Sequence, residues 1–282
     1  MGYLKLKGVL LLMLLIQARQ DLSQFEAATV KTSNNSASGV IPRGCRGTDT
    51  RTDSNAAPIP LGRCIFEQAR LDVLITSAYG DELAGVRSQP PKELVLGGPS
   101  WIHSDRFDVQ AKAESPSTTS GKDLYRMLQA LLADRFKLKL HHESKEVEGY
   151  ALVIATSGPK LIGTKDSSSL PRIRRTPSAP GLTTIRAENT AMEAWARALS
   201  TMGIGIVVDM TKLQGRYDFS FSFGMDGLLA QGRKDGPQLP VSDGSAPSIF
   251  TALQEQLGLR LVAQKVSFDF LVVDSVEKPQ MN

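Results

Sequence analysis

The sequence predicts an α+β protein of two related β-α-β-β-α-β-β units, each with two helices packed on a small sheet. One phrase occurs twice: "DRFDVQAKA" from Asp105 and "GRYDFSFSF" from Gly215, each arginine, aromatic, aspartate, then alternating apolar positions. Each phrase stands between two amphipathic helical runs, in the same order. Matching elements lie about 110 to 120 residues apart, a duplication rather than a solenoid of three or more copies.

The elements follow in chain order. "FEAATVK" (Phe25 to Lys31) reads as a strand preceding the first unit. "CIFEQARLDVLITSAYG" opens as a strand and continues with Leu71, Leu74, Ile75 and Ala78 at helical spacing, with Gly80 placed as the cap. "TIRAENTAMEAWARALSTMG" repeats this with Met192, Trp195, Ala196 and Leu199 inward, Asn189 or Thr190 as cap, and Gly203 at the end. "ELVLGG" and "GIGIVVD" are apolar strand runs, and the two opening phrases alternate as half-buried strands should.

A second helix follows in each unit. Ser120 and Asp123 stand at capping-box spacing ahead of Leu124, Met127, Leu128, Leu131 and Leu132. Its counterpart has Pro247 in the first turn, Ile249, Ala252, Leu253 and Leu257 inward, and Gly258 at the end. Strands "FKLKLHHE" and "YALVIA" complete the first unit, "LRLVAQK" and "FLVVDSV" the second. The domain expectation is a leader over 1–20, a first unit over 21–156, a Pro/Ser/Gly-rich linker over 157–181 and a second unit over 182–282. The long irregular stretch 224–247 interrupts the second unit.

Composition narrows the partners. There are 33 Lys+Arg against 29 Asp+Glu, a net charge of only +4. No basic stripe interleaved with aromatics argues for nucleic acid. The densest basic cluster, "RIRR" from Arg172 to Arg175, falls in the expected linker and reads as a solvated run. "MGYLKLK" followed by the apolar "GVLLLMLLI" has the form of a secretory signal, too short to span a bilayer, which takes about 20 residues. No later stretch is a membrane span, so the expected location is periplasmic or secreted. Cys45 and Cys64 agree with an oxidising space and are expected to form a disulfide.

The chemical inventory is thin. Of three histidines, His141 and His142 fall on one predicted strand and point to opposite faces, and Glu143 shares a face with His141, leaving at most two ligands where zinc takes three or four. His103 reads as a loop hydrogen-bonder. "SGPK" (Ser157 to Lys160) has Ser-x-x-Lys spacing but no helix to bring the lysine to the serine, and no nucleophile elbow or phosphate loop occurs. No catalytic residue, metal or cofactor is therefore assigned. The Arg-aromatic-Asp phrases put Arg106 beside Asp108 and Arg216 beside Asp218 on one strand face. They read as ordinary surface ion pairs, with an alternative in which Arg106, Arg216 and Asp218 recognise an anion. Phe107 and Tyr217 point to the core.

"GGPSWIHSDRFDVQAKAE", "MLQALLADRFKLKLHHESKEVEGYALVIA", "VVDMTKLQGRYDF", "SIFTALQEQLGLRL" and "VEKP" resemble uncharacterised exported proteins expanded in soil acidobacteria, from Phe25 to Pro279. No reaction is established there; some members are joined to membrane peptidases of the antibiotic-sensor type, which implies sensing or interaction. The second unit is also similar to the short N-terminal domain of secretins and TonB-dependent receptors, a module of two helices on a small sheet that docks proteins. The functional expectation is a non-catalytic extracytoplasmic binding module facing an envelope or secreted protein. The alternative is a hydrolase-type enzyme with a carboxylate/arginine site between the units, drawing on Asp105, Asp209 and Asp218.

Overall fold

A computed structural model describes residues 24–34, 41–50, 58–79, 94–165, 171–179, 181–224 and 246–279. The fold is α+β, with four α-helices and twelve strands among the described residues. In chain order these are β1 (Ala27–Thr32), β2 (Arg43–Arg46), β3 (Arg63–Arg70), α1 (Leu71–Tyr79), β4 (Val95–Gly97), β5 (Arg106–Lys112), α2 (Gly121–Arg135) and β6 (Lys139–Ile154). Then come β7 (Ile162–Gly163), β8 (Arg172–Ala179), β9 (Leu182–Thr190), α3 (Met192–Leu199), β10 (Val207–Asp209), β11 (Tyr217–Gly224), α4 (Ile249–Leu257) and β12 (Leu259–Ser275). The described residues form two compact units: one holds those through α1, then Val95–His141 and those from Leu271; the other holds those of His142–Phe270.

In the first unit an antiparallel sheet has the order β1-β5-β3-β2. Period-two alternation sends Phe66, Phe107, Val109 and Ala111 to one face, where they meet Leu71, Leu74 and Ile75 of α1 and Leu124, Leu128 and Leu132 of α2. Phe107 is only 2% exposed and packs edge-on against Phe136 at 5.1 Å. Cys45 lies directly opposite Cys64 across β2 and β3, and the two are disulfide-bonded over a separation of 19 residues. The chain-entropy model gives such a crosslink about 3 kcal/mol. β4 pairs in parallel with Leu271–Val273 of β12.

In the second unit the antiparallel sheet has the order β7-β11-β9-β8. Ile185, Ala187, Phe219, Phe221 and Phe223 face Met192, Trp195 and Leu199 of α3 and Ile249, Leu253 and Leu257 of α4. Trp195 is fully buried, with the Phe219 and Phe221 rings 5.2 and 5.6 Å away. β10 pairs in parallel with Tyr150–Leu152 of β6. The strand bearing the repeated phrase, β5 or β11, thus lies inside each sheet, beside the strand that precedes the unit's first helix.

Local signals set the helix ends. Ser120 caps α2 by accepting the Asp123 N–H at 3.1 Å, as the sequence spacing predicts. At α4 the cap is Ser248, accepting from Thr251, so Pro247 lies just outside rather than in the first turn. Gly258 ends α4 in the left-handed region, as expected. α3 is capped by neither Asn189 nor Thr190: Ala191 takes the cap position without a side-chain bond, because Asn189 is held in a bulge. The helix runs into a π-turn over Ser200–Ile204, where Gly203 has φ 87°.

The expected linker 157–181 contributes β7 and β8, because Arg172 to Thr176 alternates well enough to pair with β9 despite its Pro and Ser neighbours. "FKLKLHHE" and "YALVIA" form one continuous strand, as do "LRLVAQK" and "FLVVDSV", since no proline or turn interrupts them. The leader, Gly80 and nearly all of 224–247 lie outside the described residues.

Candidate functional site

The repeated phrase has one structural use in both units. Between Phe66 and Ala69, β3 carries one residue more than the facing stretch of β5, a β-bulge. Gln68 there adopts φ 50°. Asp108 Oδ1 accepts its backbone N–H at 2.8 Å, and Arg106 Nη1 donates to its carbonyl at 3.2 Å. In the second unit the bulge lies between Ala187 and Thr190 of β9, and Asn189 has φ 48°. Asp218 Oδ1 accepts its N–H at 2.7 Å, and Arg216 Nη1 donates to its carbonyl at 3.0 Å.

A non-glycine residue in the left-handed region costs on the order of 1–3 kcal/mol, and a hydrogen bond to a charged group returns about 1.5–3 kcal/mol. Two such bonds outweigh the strain. Arg106, Arg216 and Asp218 are therefore engaged with the backbone of the adjoining strand, in place of the side-by-side ion pairs that strand parity suggested. Thr164 Oγ1 also donates to Asp218 Oδ1, at 2.9 Å.

The first unit adds a second guanidinium to its bulge. Arg43 donates from Nη2 to the Gln68 carbonyl at 3.0 Å and from Nε to the Glu67 carbonyl at 3.2 Å. Burial, then the positive charges of Arg106 and Arg70, pull the Arg43 pKa below the usual arginine range. Arg70 grips the buried Asp72 carboxylate with two nitrogens, at 2.9 and 3.0 Å, and His103 Nδ1 lies 3.0 Å from Asp72 Oδ2. His103 is thus a hydrogen-bonder, as its loop position suggested, joining the short 3₁₀ turn Ser100–His103 to α1.

The carboxylates of the enzyme alternative are each engaged locally. Asp105 pairs with Lys278 at 2.8 Å, and Lys278 lies over the Trp101 ring at 5.6 Å. The Lys278 hydrogen bond leads in holding Asp105 below the usual carboxylate range, with Ser104 adding to it and burial opposing. Asp209 accepts the Thr211 N–H at 2.9 Å, closing a turn after β10. His141 Nδ1 meets Asp274 at 2.9 Å, both side chains about half exposed. Among the described residues no three His, Cys, Asp or Glu side chains are grouped to hold a metal ion. A shallow cavity of about 310 Å³ lies in the second unit beside α4, lined by Phe250, Thr251, Gln254, Glu255, Arg260 and Leu261.

The outer face of the second unit's sheet carries a different pattern. Arg172 lies opposite Glu188, Arg174 opposite Arg186, and Thr176 opposite Thr184, with Ser220 and Ser222 continuing the last two rows on β11. Arg174, Thr176 and Ser220 are exposed, and the Arg186 side chain is 70% exposed. Arg186 reaches Glu188 at 3.0 Å, and the Thr184 and Ser222 hydroxyls bond at 2.7 Å. The directly opposed pair Arg174–Arg186 is the feature that sequence reading missed: the R-I-R alternation was present but read as linker charge. No helix among the described residues is long and apolar enough to cross a membrane.

No curated protein and no solved structure matches the chain, so the likeness to the secretin and TonB-receptor module gains no support. A family model described as "Protein of unknown function (DUF3738)" matches residues 74–276, which takes in the whole second clamp, Arg106 and Asp108 of the first, and the arginine-bearing sheet face. The chain belongs to the DUF3738 family.

Proposed function

We propose that this chain is a non-catalytic extracytoplasmic binding module that docks an envelope or secreted protein through the outer sheet face of its second unit. The Arg174–Arg186 opposition carries this reading. Like charges directly across a strand pair destabilise a sheet by up to about 1 kcal/mol, a cost that a polar or neutral residue at either position would avoid. An anionic partner turns that cost into attraction and gives the face a defined register. The resemblance to exported proteins that include fusions to sensor-type membrane peptidases favours a role in envelope sensing. The cysteine pairing is compatible with the oxidising compartment that role requires.

The test is site-specific photocrosslinking in the native envelope. A photoreactive residue in place of Ser220 is expected to capture a discrete protein, and the same residue at Gln110, on the first unit's sheet, is not. Arg174→Glu combined with Arg186→Glu should abolish the capture without changing the melting temperature. Equal capture from both positions, or turnover by the mature protein on a hydrolase substrate panel that one point mutation abolishes, would reject the reading.

A further inference from the structure

Strand β8 stands at the end of the order β7-β11-β9-β8, and at eight residues it is the longest of the edge strands in the two antiparallel sheets. The direction of its backbone groups follows from the other side of the sheet. Gln256 bonds both the N–H and the carbonyl of Ser222, at 3.0 and 2.8 Å, so the polar groups of Ser222 point away from β9. Ser222 lies opposite Thr184, whose own backbone groups must then face β8. Thr184 lies opposite Thr176, so Arg172, Arg174 and Thr176 bond inward, while Ile173, Arg175 and Pro177 turn their backbone groups outward.

Pro177 supports this parity independently. Having no N–H, it is tolerated at an outward position of an edge strand and would forfeit a ladder bond at an inward one. The outward row therefore offers the N–H groups of Ile173 and Arg175 and the carbonyls of Ile173, Arg175 and Pro177. Every residue from Arg174 to Ala179 is exposed. Among the described residues no strand pairs with this side.

We infer that β8 is the strand to which an extended acidic segment of a partner protein adds, lengthening the second unit's sheet by one strand. This rests on the docking reading above and names its geometry and partner chemistry. Backbone pairing would supply affinity, and side chains on alternate faces would supply choice. A residue opposite Arg174 shares the solvent face with Arg174 and Arg186 and should be acidic. A residue opposite Ile173 lies on the core side, where Ile173 is only 9% exposed, and should be apolar. A residue opposite Arg175 should again be acidic. A second copy of this chain fits poorly, because β8 itself, Arg172–Ala179, carries no acidic residue to set against Arg174 and Arg175.

The test is selection of displayed random nonapeptides on the immobilised full chain, followed by affinity measurement of the selected peptides. The expected result is enrichment of peptides in which one apolar residue adjoins two consecutive acidic ones. Arg175→Pro, which removes an outward donor and leaves the inward ladder intact, should weaken them at least about tenfold, about 1.4 kcal/mol, beyond the effect of Arg175→Gln, which removes the charge and keeps the N–H. Arg174→Glu should do the same while sparing the backbone row. The inference is overturned if nothing is enriched, if the enriched peptides are not acidic, or if binding survives Arg175→Pro, which would mean charge attraction without strand pairing. A concentration-dependent dimer that Arg175→Pro abolishes would also overturn it, in favour of self-pairing. Capture at Ser220 combined with any of these outcomes would leave protein docking standing and remove only the strand-addition geometry.

Discussion

Asp218 of β11 and Arg216, the residue just before that strand, hold the two backbone polar groups of a single residue in β9, the N–H and the carbonyl of Asn189. Asp108 and Arg106 do the same for Gln68 in β3. The spacing is explained by strand parity: positions i and i+2 share a face, and a bulge with one extra residue presents its N–H and carbonyl across that same interval. The aromatic between them, Phe107 or Tyr217, faces the other way. Arg-aromatic-Asp is the sequence signature of a bulge clamp.

Removing the acceptor should therefore cost stability. Asp218→Ala is expected to lower the unfolding free energy by about 2–3 kcal/mol, since a charged acceptor is lost from a strained backbone N–H. Asn189→Gly in that background should recover part of the loss by relieving the left-handed strain, while in the native background it should be nearly neutral. Urea denaturation of the four proteins measures this cycle. An unchanged midpoint in Asp218→Ala would show that the clamp contributes nothing.

What the sequence made legible divides along local and non-local lines. The faces of α2 and α4, the Ser120 cap, the Gly258 stop and the Cys45–Cys64 pairing all rest on residues close in sequence or on a small set of alternatives. The clamps escaped because their partners, Gln68 and Asn189, lie 38 and 27 residues from the arginines that bind them. A bulge also cannot be read from alternation alone. β8 escaped because Pro177 and Ser178 gave it linker composition, although proline belongs on an outward-facing edge position. The role of Asp72 was hidden too, its carboxylate being satisfied by Arg70 two residues away and by His103 from a separate turn.

The Asp72 network gives a second stability test. Asp72 is 3% exposed at its side chain and bonded by both Arg70 and His103. Asp72→Ala would remove the carboxylate that both Arg70, only 13% exposed, and His103 hold, and should cost about 3–5 kcal/mol. Arg70 and Asp72 replaced together by Met and Leu should cost less than Asp72→Ala alone, because no uncompensated charge remains. Differential scanning calorimetry of the single and double variants decides this.

Gly258 offers a test of backbone geometry. Its φ is 64°, and a Cβ built there would stand 1.8 Å from the Gly158 carbonyl oxygen, inside the same unit. Gly258→Ala must bear left-handed strain of roughly 1–2 kcal/mol and also displace backbone. The change should cost well above 2 kcal/mol, read from the denaturation midpoint. Gly163→Ala, with open space around the added methyl and an unremarkable φ, should leave the midpoint unchanged.

The disulfide should be a redox-sensitive stabiliser of the first unit. Reduction, or Cys45→Ala with Cys64→Ala, is expected to remove about 3 kcal/mol, the entropy of a crosslink closing 19 residues, offset by whatever packing the two alanines retain. Because Cys45 and Cys64 are 2% and 0% exposed, reductant should act only through opening of the unit, so the thiol-release rate should rise steeply with denaturant. Thiol titration across a urea series checks it; a rate independent of urea would mean that the bond is reached from the native surface.

Asp105 provides the pH test. Its carboxyl is held below the ordinary carboxylate range chiefly by the Lys278 hydrogen bond, so its folded pKa is lower than its unfolded one, about 3.9. A depressed carboxylate contributes stability that is fully present above the unfolded value and is lost as pH falls through the folded value. The contact also ties the C-terminal segment, through Lys278 on the Trp101 ring, to the turn that leads into β5. Carbon-detected NMR titration of the Asp105 carboxyl should show a lowered pKa in the native protein and a return toward the ordinary value in Lys278→Met. Trp101 fluorescence should change over the same acidic interval in the native protein and lose that transition in the variant. If the Asp105 pKa is the same in both proteins, Lys278 is not what depresses it.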